Sequence, residues 1–213
     1  MGALTERVAA AVRRSPVDAR VEPSASGLSV HESHRGRALN AAKLKHDLAV
    51  TLRFPSRPPR IAATTHPVAA KVTTSDLKAK YPAYIIVDRH AHVLRFFQHL
   101  EPASSWPIAV GRQGLETPGG LYDIQWKETN PSWHVPNSSW AGALAGKTIP
   151  PGPDDPIKAR WLAFNGGAGI HGIAPSEYGS IGHDASHGCV RMRIPDVIDL
   201  YPQVPVGSPI YIG

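Results

Sequence analysis

Apolar and polar positions alternate over much of the second half of the chain and recur at helical spacing only in short stretches. In "LNAAKLKHDLAVTL" the residues Leu44, Leu48 and Leu52 fall every four positions and predict a helix. Near the start, Val8, Ala9 and Val12 form a shorter apolar face that Thr5 is placed to cap. Between them, "ARVEPSASGLSVHES" reads as a hairpin turning at its Pro/Ser/Gly cluster. "RFPSRPPRIAATTHPVAAKV" is proline-rich and suits an edge strand or a connector. "TTSDLKAKYP" offers a capped turn, and a domain boundary is expected there.

Beyond that boundary the pattern is β. Strands are expected over 84–87 and 93–97, hinged on Asp88-Arg89-His90, and over 106–111, at an edge because of Pro107. Others are expected over 121–126, 160–164, 168–171 and 206–212, with one helical segment over 195–201. Residues 128–158 keep no period and hold Pro131, Pro136, Pro150, Pro151, Pro153 and Pro156. Long irregular segments in compact domains are usually functional, and Trp133 and Trp140 point to a lid.

Composition agrees with this class. The 213 residues include 21 prolines and 19 glycines, which disfavours long helices, and 42% are hydrophobic, which marks a globular chain. The expected organisation is a small α+β domain over 1–80 followed by a mainly β, sandwich- or barrel-like domain with a short helix over 83–213. Charge divides the same way: residues 1–80 hold 14 Lys+Arg against 6 Asp+Glu, residues 81–213 hold 9 against 11. The basic half could meet nucleic acid, an anionic membrane or an anionic cell wall, but its basic residues are scattered and lack any zinc-finger or RNA-binding signature, so a solvated, nonspecific surface is expected and no nucleic-acid partner. No apolar run reaches membrane-spanning length. Position 6 is Glu6, against myristoylation, and the first basic pair follows the short apolar run, against a secretion signal.

A single cysteine, Cys189 in "HDASHGCVRM", excludes an internal disulfide. A thiol attacks as thiolate and needs a neighbouring base. His187 lies two positions before it and His171 eighteen before it. If residues 186–189 are extended, His187 and Cys189 share a face, while His171 approaches from a separate strand. Gly188 lets the chain turn and leaves backbone N–H groups open to an oxyanion. Two other readings stand beside this one: His171, His183, His187 and Cys189 as a metal site, although their spacing matches no familiar ligand pattern, or as plain packing.

These residues resemble the signature of the L,D-transpeptidases, cysteine enzymes that cross-link bacterial peptidoglycan. The similarity runs over residues 83–213 through His171-Gly172, His187-Gly188-Cys189 and Val190-Arg191-Met192, with Thr117-Pro118-Gly119-Gly120, Trp133 to Pro136, Asp155 to Trp161 and Val206-Gly207 in order. The resemblance implies that Cys189 is the nucleophile and His171 the general base, oriented by the Gly172 carbonyl. It further implies that His187 shapes the thiol's surroundings, that the Gly188 and Cys189 N–H groups form the oxyanion hole, and that Arg191, Gly166, Gly167 and Trp133 lie beside the donor stem. Ser186 and His183 are expected to be structural. No metal or organic cofactor is implied. The expected activity is acylation of Cys189 by a tetrapeptide stem and transfer to an amine, giving 3-3 cross-links, with carbapenems as acylating agents. The implied location is extracytoplasmic, in cell wall or periplasm. A noncatalytic wall binder and an L,D-carboxypeptidase are the alternatives. Residues 1–80 weakly resemble a peptidoglycan-binding module, in "GRALNAAKLKHDLAV" and "VTTSDL".

Overall fold

The computed structural model describes residues 2–54 and 60–213. They fall into two compact units, one made of residues up to Val21 with Val30–Leu77, the other of Glu22–Ser29 with Lys78–Gly213. Part of the expected proline-rich connector, 55–59, lies outside the described residues.

The elements before residue 82 are α1 (Gly2–Val12), β1 (Arg20–Ser24), β2 (Gly27–His31), β3 (Gly36–Leu39), α2 (Ala41–Arg53), β4 (Thr65–Val68) and α3 (Thr74–Lys80). The predicted hairpin is β1 with β2, and β3 pairs antiparallel with β4. Helix α1 starts ahead of Thr5, which is buried inside it and does not cap it. Helix α2 is capped by Asn40, whose side chain accepts the Lys43 N–H at 3.1 Å. Of its predicted stripe only Leu44 is buried, and Leu52 is 67% exposed. At α3, Thr73 and Asp76 cap reciprocally: the Thr73 N–H donates to Asp76 Oδ2 at 2.8 Å and the Asp76 N–H to Thr73 Oγ1 at 3.2 Å.

The remaining elements are β5 (Ala83–Asp88), β6 (Val93–Gln98), β7 (Glu101–Pro107), β8 (Val110–Gly111), β9 (Gly120–Asp123), β10 (Trp126–Thr129), β11 (Trp133–His134), β12 (Thr148–Ile149), β13 (Lys158–Asn165), β14 (Ala168–Ile173), β15 (Asp184–Ser186), β16 (Val190–Arg193), α4 (Ile194–Gln203) and β17 (Pro209–Ile212). Two sheets carry the architecture, one in the order β7-β6-β5-β17-β9 and one in the order β10-β13-β14-β16. The arrangement is mainly β and sandwich-like, without a closed barrel.

One core joins the two sheets. Ile85, Val87, Leu94, Phe96, Ile210 and Ile212 enter it from the first, and Leu162, Phe164, Ile170, Val190 and Met192 from the second, with Val197 and Leu200 of α4. Because strand side chains alternate between faces, burying Leu162, Phe164, Ile170, Val190 and Met192 turns the intervening residues to the opposite face. That second face carries Trp161, His171 and Arg191.

Two predicted strands are divided between sheets. Trp106-Pro107 ends β7 at a sheet edge, whereas Val110-Gly111 leaves to pair in parallel with β15. The alternating run 121–126 breaks at Ile124, fully buried, where the chain passes from β9 to β10 and so from one sheet to the other. Residues 206–207 turn, and the last strand starts at Pro209.

Candidate active site

On the outer face of the four-stranded sheet, paired residues line up in two rows. Trp126 of β10 faces Ala163 of β13, which faces Gly169 of β14. Carrying the parallel pairing Ile170↔Val190 back by one residue sets Cys189 next to Gly169. The adjoining row is Glu128, Trp161, His171 and Arg191. Cys189 and His171 are therefore diagonal neighbours on one face, brought there by β14–β16 register.

His171 is 5% exposed, and its Nδ1 lies 2.8 Å from the Gly172 carbonyl. A carbonyl only accepts, so Nδ1 carries the proton and Nε2 keeps a lone pair. Burial pushes the imidazole pKa down to about 4; the Gly172 bond opposes this and the Arg191 charge adds to it. At neutral pH the ring is an uncharged base. Trp161 stacks over it, ring centroids 5.9 Å apart. Gly169 makes room for that indole, since a Cβ there would sit 2.5 Å from the ring.

Cys189 is half-buried, and its thiol donates to the Gly167 carbonyl at 3.8 Å. Burial raises the thiol's pKa, while the Gly169 N–H, directed at the sulfur, and the Arg191 charge pull it down. The resting pair is thus a neutral thiol beside a neutral imidazole, with a backbone donor already aimed at the sulfur.

The segment holding the thiol turns at Gly188, as that glycine allows, and does not run extended from 186 to 189. Gly188 has φ +114°, a conformation that favours glycine, and residues 187–189 bend between β15 and β16. His187 and Cys189 are consequently not two neighbours on one strand face. Ser186, 1% exposed, ties the turn: its hydroxyl donates to the Cys189 carbonyl at 2.6 Å and accepts the Gly188 N–H at 3.1 Å. The Gly188 N–H, anticipated as an oxyanion donor, is engaged by that hydroxyl.

Opposite the sheet stand the residues of 131–158. Trp140 stacks on His187 with centroids 4.3 Å apart and on Trp133 at 6.5 Å. His187 is held below the usual histidine range, first by burial, then by the charges of Arg112 and Arg191. A groove of about 750 Å³ is lined from both sides, by Trp133 and Trp140 as well as Gly166, Gly167, His171, Gly188, Cys189 and Arg191. Gly166, with φ +54°, and Gly167 form the β13–β14 turn. Arg191 anchors through its backbone, which exchanges hydrogen bonds of 2.9 and 3.0 Å with Ala109. Among the described residues no cluster of His, Cys, Asp and Glu is placed to hold a metal ion, and no helix is long and apolar enough to cross a membrane.

Residues 82–212 match the YkuD family model, the L,D-transpeptidase catalytic domain. The chain belongs to the L,D-transpeptidase family. Among curated proteins it is 29% identical over 135 residues to YqjB of Bacillus subtilis, covering 61% of this chain and 70% of that one. It is 33% identical over 113 residues to ErfK/SrfK of Escherichia coli, covering 50% of this chain but 36% of that one. Both relatives are provisionally named L,D-transpeptidases, and the chain spans about a third of the Escherichia coli protein. Among solved structures, an L,D-transpeptidase from Mycobacterium smegmatis shares the fold with TM-score 0.52 and 18% identity, over 93% of this chain and all of that one (100%). LdtMt1, solved in complex with imipenem, aligns at TM-score 0.50 and 17% identity, over 98% of this chain and 85% of that one.

Every residue that the L,D-transpeptidase resemblance singled out lines the groove except Gly172, whose carbonyl holds His171. Gly172 also has a steric reason to be glycine: a Cβ would meet the Lys158 carbonyl at 2.7 Å. Trp161 and Gly169 join the site without being among the expected residues, and Ser186, expected to be structural, ties the thiol turn. The first two had a detectable signal, since both stand on the His171 face by strand parity. Ser186 had none, because its role depends on how the following two residues bend.

Proposed function

We propose that this chain acylates Cys189 with a peptidoglycan tetrapeptide stem and transfers the acyl group to an amine, forming 3-3 cross-links. The observation that carries this reading is the pairing, on one sheet face, of a groove-lining thiol with a buried histidine whose Nδ1 is committed to the Gly172 carbonyl. Such a histidine has one free nitrogen and no charge, which is what proton abstraction requires.

His171 Nε2 takes the thiol proton as sulfur bonds to the carbonyl carbon of the stem's L-centre. The Gly169 N–H steadies the charge on sulfur beforehand. The developing oxyanion falls to the Cys189 N–H, joined by that of Gly188 once Ser186 releases it. As the C–N bond breaks, the imidazolium returns its proton to the departing D-amino acid, leaving a thioester. An acceptor amine then attacks the thioester and gives its proton to His171, which passes it to the sulfur of Cys189 as the C–S bond breaks, restoring the neutral pair. His187, stacked beneath Trp140, shapes the groove over the thiol, and Arg191, Gly166, Gly167 and Trp133 border the donor. Residues 131–158 limit water's competition with the amine. No metal or organic cofactor enters these steps. The site of action is extracytoplasmic, where the wall lies.

The solved LdtMt1–imipenem complex supports extending this chemistry to carbapenems, which would acylate Cys189. Incubation with disaccharide-tetrapeptide should yield cross-linked dimer and free D-amino acid. Release of the D-amino acid with no dimer would make the chain an L,D-carboxypeptidase. Absence of any meropenem adduct on Cys189 by mass spectrometry, together with no turnover, would leave a noncatalytic binder. Residues 1–80 act in this proposal as a wall-binding module on the strength of their basic excess; cosedimentation of the full chain with purified sacculi that is undiminished at high salt would remove that role.

A further inference from the structure

Four of the chain's five tryptophans, Trp126, Trp133, Trp140 and Trp161, line the thiol's groove. Three are engaged with other rings of the site: Trp161 lies on His171, while Trp140 is stacked between Trp133 and His187. Trp126 differs. It is 45% exposed, and its one ring contact among the described residues is with Trp161, at 6.0 Å and a 42° tilt. It also stands at the end of the thiol's own row, on β10, the edge strand of the sheet.

We propose that Trp126 is a sugar platform: the hexose ring to which the donor stem is attached stacks on this indole while the stem's carbonyl lies at Cys189. The inference rests on the acylation reading above and adds a glycan subsite to it. Length supports it. From Cys189 to Trp126 the row crosses three strand spacings, about 14 Å at 4.7–4.9 Å each. In a tetrapeptide the attacked carbonyl belongs to the third residue. Three extended residues span roughly 10–11 Å, and the linker to the sugar adds on the order of 3 Å. The sugar therefore arrives at the far end of the row.

Chemistry and topology agree with that distance. One face of a hexose presents C–H groups with slight positive charge, which suit the electron-rich face of an indole, while its hydroxyls need polar partners. His134 and Asn165 line the same groove and can supply them. A glycan strand continues beyond the sugar that bears the stem, so its platform must be open to solvent. An edge strand provides that opening, and the interior of the groove does not.

The test uses the Cys189→Ala protein, so that binding is read without turnover. Dissociation constants are measured for disaccharide-tetrapeptide and for the same tetrapeptide without sugar. The disaccharide form should bind about five- to tenfold more tightly. Trp126→Ala should erase the difference with unchanged affinity for the bare peptide, and Trp126→Phe should retain part of it. Equal affinities for the two ligands, or a preference that survives Trp126→Ala, would overturn the platform. Meropenem adduct formation by the single variant Trp126→Ala, with Cys189 intact, reports separately on its fold and on the acylation chemistry. A missing adduct in the parent protein would strike the acylation reading, whereas a normal adduct with no sugar preference strikes the platform alone.

Discussion

The two walls of the groove are built by different forces. On the sheet wall, Cys189, Gly169, His171 and Trp161 are placed by backbone pairing across β13, β14 and β16, and the reverse side of the same strands is fixed in the core by Leu162, Ile170 and Met192. On the wall of residues 131–158, regular structure amounts to a two-residue pairing of β11 with β12 and a kinked 3₁₀ turn at Ser139–Leu144, and side-chain stacking of Trp133, Trp140 and His187 joins it to the thiol turn. A nucleophile and its base need a geometry held to a fraction of an ångström, which strand register supplies. A cover over a substrate needs to yield, and aromatic stacking is worth only about 0.5–1.5 kcal/mol per pair.

That contrast can be broken most severely at the sheet wall. His171→Ala should lower turnover by at least about a hundredfold in a muropeptide dimerisation assay while the protein still melts cooperatively. A loss of similar size in His183→Ala, whose exposed ring lies outside the groove lining, would refute the assignment of the base.

The same histidine should leave a thermodynamic mark. Its folded pKa of about 4 lies below the ordinary value of 6.5, so between those values the unfolded chain binds more protons. Stability is then complete above about pH 6.5 and falls as pH drops toward 4, by on the order of 3 kcal/mol. Denaturant melts across this window should show that slope in the parent protein and lose it in His171→Phe. Equal slopes would mean the ring is not held neutral.

Glycine substitutions sharpen the comparison further. Gly169→Ala forces a methyl to 2.5 Å from the Trp161 ring and should destabilise by about 1–3 kcal/mol. In the facing segment, Gly152→Ala meets nothing nearer than 3.9 Å and should stay within about 0.5 kcal/mol. Comparable losses at both would show the two walls to be equally rigid.

The last effect, at Trp140→Ala, is read in the products more than in stability. Losing its two stacked pairs should cost about 1–3 kcal/mol, while the ratio of hydrolysis to cross-linking rises as the thioester is exposed to water. An unchanged product ratio would deny residues 131–158 the function of a cover.

Much of this was legible beforehand because strand alternation is local. Once 160–164 and 168–171 are read as strands with Leu162 and Ile170 inward, Trp161 and His171 must face outward; the strand Val190–Arg193, which places Arg191 on the same face, was not expected. The sheet switches at Ile124 and after Pro107 were not legible, since an unbroken alternating run carries no mark of which neighbour each half will pair with. The exposure of Leu52 was equally hidden: a helical stripe predicts a face, not how much of it finds a partner.

The chain's own order of residues determined the candidate chemistry: one thiol, a histidine eighteen positions ahead of it, and a glycine beside the thiol that adopts φ +114° as anticipated. Tertiary structure alone decided that β14 and β16 run parallel with Gly169 beside Cys189, that the Ser186 hydroxyl holds the Gly188 N–H, and that Trp140 covers His187. The reason is that residue type and backbone preference are local quantities, whereas register between strands and stacking across a groove are settled only when distant segments compete for the same core.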